Sequence, residues 1–329
     1  MLRIKITTNF PHWPLIRQTP ESKGVWGNCR FFINDDAIGQ CDYWVIIDGL
    51  RKIETADCPP KNTILITSEP PGKKKYKRTF VNQFNTIITS HYLNRSNTIN
   101  SQQALPWMVG WKYEPGDKNQ NYTQKSYDDL KAADNIEKTK LISAISSDKA
   151  YTRGLKQRIK FIKILKKHFV GKIDIYGRNL NTFADKWDVI APYKYHIVLE
   201  NSAQNDYWTE KLSDCFLAGA YPIYYGCPNI FHYFSKGSLA PINISKPAEA
   251  IKIIDRTIEG GLYERSVAEI KKAKNLILDK YNLFPMLCDL IEKMPLFTEN
   301  SKRAVTLFPE SMLSGTFVEK ISNRLKRWV

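Results

Sequence analysis

Residues 1–115 alternate short apolar runs with polar connections: "RIKITTN", "DYWVIIDG", "NTILITSE" and "NTIITSHY". Runs of four to seven residues rich in Ile, Thr and Val predict buried strands, and their spacing leaves room for crossovers. Residues 112–138, "KYEPGDKNQNYTQKSYDDLKAADNIEK", are nearly free of aliphatic side chains and predict a linker or long loop. Strand signal restarts with "KLISAISS" at 140–147.

The period then lengthens. In "GLKQRIKFIKILKKHF" (154–169), Leu155, Ile159, Ile162 and Phe169 share a helical face, with Leu165 beside them and lysines opposite. "KIDIYG" (172–177) and "YHIVLEN" (195–201) predict strands. A helix through "KLSDCFLAG" (211–219) comes next, then the strand "AYPIYYG" (220–226). Leu212, Cys215 and Phe216 stripe that helix, and Gly219 stands where a helix ends in a left-handed turn. From 246 to 294 the pattern is helical. Alternation in both halves predicts an α/β chain of two Rossmann-like domains facing across a cleft, at 1–136 and 137–300. Residues 301–329 read as a basic amphipathic tail. Its Phe317, Ile321, Leu325 and Trp328 recur at i, i+4, i+8 and i+11, and the helix either docks on the protein or lies on anionic lipid.

Composition narrows the class. An apolar fraction of 43% excludes disorder throughout, and no uncharged apolar run reaches 18 residues. The first residues read as a strand, not a secretion signal. Six cysteines without CxxC pairs suit free thiols in a reducing compartment, so a cytoplasmic protein is expected, peripheral on the inner face of the membrane if the tail binds lipid. The net charge of +16 points to nucleic acid, an anionic membrane or a phosphate-bearing substrate. Part of it is clustered, as in "KKKYKR" (73–78). Neither "NDD" (34–36) nor "YDD" (127–129) is a good metal motif, and the five histidines lack metal-ligand spacing.

The chemistry concentrates at 195–226. Glu200 and Asn201 end a predicted strand, while Glu210 and Lys211 occupy the first turn of the next helix, with Thr209 or Asp206 as N-cap. Free N–H groups, the positive helix end and Lys211 favour phosphate, and a carboxylate accepts from ribose hydroxyls. A capped helix with a solvated first turn is the plainer reading of such a triplet.

The block "YKYHIVLENS…DYWTEKLSDCFLAGAYPIYYG" (193–226) resembles the signature of the α-1,3/1,4-fucosyltransferase family. It matches Y-x-F-x-x-x-x-E-N-S, then Y-x-T-E-K, then A-G-x-x-P-x-x-x-G. Good resemblance runs from about 140 to 245. It implies the GT-B fold and an inverting transfer of L-fucose from GDP-fucose to a saccharide hydroxyl. It also implies a donor pocket in which Lys211 faces the diphosphate, Glu210 takes the ribose hydroxyls, and Asn201 and Tyr207 contribute. "QRIKF" resembles the family's R-x-x-F/Y, which puts Arg158 on the phosphates, where a guanidinium neutralises leaving GDP. Arg178, in "DIYGR", is a weaker phosphate candidate.

For the acceptor side, the family pattern maps Glu69 of "ILITSEPPG" as the catalytic base, since the attacking hydroxyl must lose its proton. Its other reading is a loop carboxylate paired with lysines 73–75. Glu69 and Glu200 would both stabilise oxocarbenium-like charge. The resemblance implies no required cofactor, with divalent-metal stimulation left open. The implied partners are GDP-fucose and an oligosaccharide or glycolipid acceptor, GlcNAc-containing and of lipopolysaccharide type; nucleic acid is not expected. "SHYLNR" (90–95) departs from an arginine-rich family segment, and Trp208 replaces a small or β-branched residue. Trp26, Trp107, Trp111 and Trp208 are core residues or sugar-stacking platforms. The alternatives are another GDP-sugar donor, an inactive glycan-binding relative and a basic nucleic-acid-binding protein.

Overall fold

The computed structural model describes all residues except 113–121, 124, 147–152, 178, 295–302 and 314–329. The chain divides into two compact units, and neither is one continuous segment. The first comprises Met1–Pro11, Gly24–Gln103 and Cys288–Val329; the second comprises His12–Lys23 and Ala104–Leu287. The division thus runs elsewhere than at 136/137. Residues 12–23 and 104–136 group with the second unit, and those from 288 on with the first.

In the first unit, β1 (Leu2–Thr8), β2 (Val25–Trp26), β3 (Cys29–Ile33), β4 (Tyr43–Ile47), β5 (Glu54–Cys58), β6 (Thr63–Ile66), β7 (Thr86–Thr89) and β8 (Thr98–Asn100) are joined by loops and one short helix, α1 (Arg78–Val81). Seven of these strands make one sheet in the order β2-β3-β1-β4-β6-β7-β8, with only β2 antiparallel. Strands β4, β6 and β7 are buried at every position, as near-continuous apolar runs in a parallel sheet must be.

Past Ala104 the second unit continues with the ribbon β9 (Trp111–Lys112) and β10 (Tyr122–Thr123), then α2 (Tyr127–Ala132). This helix lies inside the stretch expected as linker. A capping box explains it: Ser126 accepts from Asp129 N, and the Asp129 side chain reaches back to Ser126. Next come β11 (Lys140–Ile145), α3 (Arg153–His168), β12 (Ile173–Tyr176), α4 (Lys186–Ile190), β13 (Tyr193–Leu199), α5 (Glu210–Leu217), β14 (Tyr221–Tyr225) and β15 (Ala240–Pro241). The strands form a parallel sheet in the order β12-β11-β13-β14-β15. Helices α6 (Pro247–Glu259) and α7 (Leu262–Asp279) pack within the same unit, and α8 (Leu283–Lys293) succeeds them. The core joins both sheet faces to α3, α5 and α7, with Leu165, Phe161, Leu212, Phe216 and Ile277 almost fully buried. His196 belongs here: its Nδ1 lies 2.8 Å from Ser143 Oγ, and burial pushes the ring down to about 3. All six cysteines are free and buried.

The chain then returns to the first unit as β16 (Arg303–Leu307), antiparallel to β5. The residues that would make the amphipathic stripe, Phe317 to Trp328, lie outside the described residues. Among the described residues no helix is long and apolar enough to cross a membrane.

Candidate functional site

The order of the second sheet reverses direction between β11 and β13. In an open parallel sheet, ligands bind beyond the carboxyl ends of strands at such a reversal. β13 delivers Glu200 and Asn201 to this point, and Glu200 N donates to Tyr225 O at 2.8 Å, extending the ladder by one rung. The amino end of α3 comes close enough that a Cβ on Gly154 would meet Asn201 O at 2.6 Å. Glycine is therefore required where the helix meets the loop.

Helix α5 starts here too. Thr209 is its N-cap and accepts from Lys211 N at 3.4 Å. Its carboxyl end closes as a Schellman motif, with Ala220 N to Cys215 O at 3.1 Å, Gly219 N to Phe216 O at 3.0 Å, and Gly219 at φ +68°. The helix is thus fixed at both ends, and its first turn faces the strand ends.

Four of the expected donor residues meet around this turn. Arg158 projects from the first half of α3 and is only 6% exposed, so it is not a solvent-facing arginine of a basic helix. One of its terminal nitrogens donates to Asn201 Oδ1, and its Nε has no partner among the described residues. Lys211 Nζ lies 3.1 Å from Glu210 Oε1, 3.1 Å from Thr209 Oγ1 and 3.5 Å from Glu200 Oε2, with its side chain 25% exposed. Burial lowers the Arg158 pKa against the opposing pull of Glu200 and Glu210. For Lys211, burial is outweighed by Glu210 and Glu200, and the ammonium is raised. Burial pushes the Glu210 carboxyl up, but Lys211 and Lys186 pull harder and hold it at about 2, an ionised acceptor.

Glu200 takes a different place from the expected one. Its carboxylate is fully buried and accepts from Thr209 N at 2.8 Å and from Thr209 Oγ1 at 3.0 and 2.8 Å. Burial, the largest influence, raises its pKa although Lys211 opposes it. Both oxygens are committed, so Glu200 ties the end of β13 to the cap of α5 and does not face a ligand. A Cβ on Gly226 would meet Glu200 Cγ at 2.5 Å, which explains the glycine closing β14. Tyr207 is buried next to the cap, and Asp206, at φ +61°, is held by Asn229 and Tyr233. Trp208 is core: its ring packs on Tyr233, Phe234 and Tyr281 at centroid distances of 5.7, 5.2 and 5.6 Å. Trp107 is buried as well, under the Arg17 guanidinium at 4.5 Å. Arg178 lies outside the described residues.

Lys186 is a site residue that no sequence pattern marks. At the start of α4, its Nζ lies 2.6 Å from Asp214 Oδ2 and 3.9 Å from Glu210 Oε1. Asp214 Oδ1 accepts from Met108 N at 2.7 Å and Val109 N at 3.0 Å. This stack supports the Glu210 carboxylate from the next helical turn. "DKWD" is too short to carry a periodic signal, so only proximity reveals it.

Glu69 belongs to the first unit, beyond the carboxyl end of β6. Its side chain is 24% exposed and paired with Lys73, and its carbonyl lies 2.7 Å from His91 Nε2. The basic run around it is largely engaged. Lys74 Nζ sits 3.0 Å from Asp48 Oδ2, and Lys77 Nζ sits 3.3 Å from Glu310 O. Among the described residues no group of three or more His, Cys, Asp or Glu is placed to hold a metal ion.

Residues 135–242 match the model of glycosyltransferase family 10 (fucosyltransferase), C-terminal part. A fucosyltransferase-like protein of Arabidopsis thaliana is 40% identical over 62 residues, which is 18% of this chain and 12% of that protein. GDP-fucose protein O-fucosyltransferase 3 of Mus musculus is 35% identical over 89 residues, 26% of this chain and 18% of that protein. This segment is similar to the fucosyltransferase family, and the chain spans only 12–18% of the length of these curated relatives. An α1,3-fucosyltransferase solved with GDP is similar over 85% of this chain and 92% of its own, at 14% identity and a TM-score of 0.46. The family segment holds Arg158, Lys186, Glu200, Asn201, Tyr207, Glu210 and Lys211; Glu69 lies outside it.

Proposed function

We propose that the chain is an inverting glycosyltransferase moving L-fucose from GDP-β-L-fucose to a saccharide hydroxyl. Arg158, Lys211 and the positive amino end of α5 hold the pyrophosphate, and Glu210 accepts from the ribose hydroxyls. Asn201 orients Arg158, while Glu200 and Tyr207 shape the pocket from behind. The acceptor oxygen attacks the anomeric carbon as its bond to the β-phosphate breaks. Glu69 takes the acceptor proton, and GDP leaves with the electron pair. Preorganised cations facing that departing charge supply much of the rate.

One observation carries the reading: a buried guanidinium whose Nε has no partner among the described residues and a lysine on a helix amino end converge at the sheet's reversal point. A GlcNAc-containing acceptor, α-1,3 or α-1,4 linkage and a role in surface glycan synthesis rest on the motif resemblance. So does the GT-B placement of the two units. The free buried cysteines support a reducing compartment. A second reading, a polypeptide hydroxyl as acceptor, is favoured by the names of the protein O-fucosyltransferase relatives.

The test measures release of the nucleoside diphosphate, GDP from GDP-fucose or GDP-mannose and UDP from UDP-GlcNAc, with N-acetyllactosamine or a Ser/Thr peptide as acceptor. Release from GDP-fucose alone supports the donor, and the acceptor arm separates the two readings. Turnover of UDP-GlcNAc in preference to both GDP-sugars would overturn the proposal. Glu69→Gln retains GDP-fucose binding and loses about 1,000-fold in turnover; a variant of normal turnover places the base elsewhere.

A further inference from the structure

The first sheet, like the second, reverses direction once, between β1 and β4. A buried polar cluster sits at the carboxyl end of β4, and the donor chemistry does not use it. Asp48 succeeds β4 with φ +66°, a conformation that is costly for a side chain with a Cβ. It is almost completely buried and surrounded by donors. Ser68 Oγ donates to Asp48 Oδ1 at 2.7 Å, Tyr76 OH donates to the same oxygen, and Lys74 Nζ approaches Oδ2 at 3.0 Å. An apolar closure would avoid both the strain and the desolvation, so this network is an expensive way merely to fill space.

Its bonds converge on one peptide. Tyr76 OH also accepts from Ser68 N at 3.2 Å, immediately before Glu69. His91 Nε2 donates to Glu69 O at 2.7 Å, which fixes its tautomer, since a carbonyl only accepts. The Tyr76 and His91 rings lock edge to face at 5.3 Å and 71°. The backbone around Glu69 is therefore gripped from two sides while its carboxylate stays partly exposed.

We propose that Asp48, Ser68, Tyr76 and His91 form a clamp of positioning residues that aims the Glu69 carboxylate at the acceptor hydroxyl. The proposal deepens the reading of Glu69 as base and rests on it. The clamp touches no substrate; it acts by holding one peptide still, and a misplacement of about 1 Å in such a group costs roughly 100-fold in rate.

The test compares Tyr76→Phe, His91→Phe and His91→Gln in the full chain. In Tyr76→Phe, hydrogen exchange of peptides covering 66–72 accelerates about tenfold or more, because Ser68 N–H loses its acceptor. GDP release with N-acetyllactosamine falls about 30-fold at unchanged KM for GDP-fucose. His91→Gln keeps an N–H for the Glu69 carbonyl and retains most turnover, whereas His91→Phe does not. On a Glu69→Gln background, Tyr76→Phe adds no further loss. Unchanged exchange at 66–72, or full turnover in Tyr76→Phe and His91→Phe, overturns the clamp. Full turnover in Glu69→Gln alone instead removes the base reading, so the two failures are distinct. Where Tyr76→Phe folds poorly, the His91 pair carries the same prediction.

Discussion

The two parallel sheets are alike in wiring and unlike in the elements into which their strands run. Each places its second parallel strand outside the first and then grows in the other direction, so each has one reversal point. In the second unit the strand end leads through a loop into α5, and Arg158 and Lys211 gather with Glu210 at a helix amino end. In the first unit β4 and β6 run into turns, Asp48-Gly49 and Glu69-Pro70-Pro71, and the gathered groups are a carboxylate network with one outlying acid. Topology marks where chemistry can sit. The element after the strand shapes it: a helix start favours anions, whereas the turn after β6 leaves Glu69 as a partly exposed acid.

Breaking the second site should cost affinity. Arg158→Ala is expected to weaken GDP binding about 100-fold by calorimetry, or roughly 3 kcal/mol, because the guanidinium proposed to pair with the pyrophosphate is removed. Lys211→Ala acts in the same direction. Unchanged GDP affinity in both would equate the two strand ends and erase the contrast between them. Breaking the support should cost stability instead. Glu200→Ala leaves the Thr209 N–H and hydroxyl without their acceptor and lowers unfolding free energy by about 2 kcal/mol in urea titration. A Glu200→Ala protein of native stability but without GDP binding would return Glu200 to direct ligand contact. Gly226→Ala presses a methyl against Glu200 and Tyr224, and about 1–2 kcal/mol is expected from the overpacking.

The smallest effect is electrostatic. Glu210 titrates at about 2 in the fold against an ordinary 4.5, so it contributes stability that is fully present above 4.5. That contribution is lost as pH falls from 4.5 through about 2. Glu210→Gln should therefore show a shallower loss of stability on acidification, measured as melting temperature against pH. An identical acid limb in both proteins would mean that Lys211 and Lys186 do not hold the carboxylate.

Much of this architecture is legible in the chain. The strands at 2–8, 43–47, 63–66, 86–89 and 140–145 announce themselves as β-branched runs, and Thr209 and Gly219 bracket α5 by their own cap chemistry. The hidden features depend on contacts between distant residues. A polar residue ending a strand looks ligand-facing, and nothing local reveals that Glu200 turns inward to Thr209. Trp208 sits beside reactive neighbours, yet its partners arrive from positions 233, 234 and 281. The local Glu69–Lys73 pair is legible, but the groups that engage Lys74 and Lys77 lie far off, at 48 and 310. Lys186 offers no pattern, and the pairing of residues 303–307 with 54–58 joins segments some 250 positions apart.

That last pairing bears on the order of assembly during synthesis. Every segment of the second unit has been translated by Leu287, whereas β5 must wait for the ribosome to release Arg303–Leu307. The second unit can thus mature on the nascent chain while β5 still lacks β16. A message truncated shortly after position 287 would yield a complete second unit and, in β5, an open β edge in one chain, a species prone to aggregate.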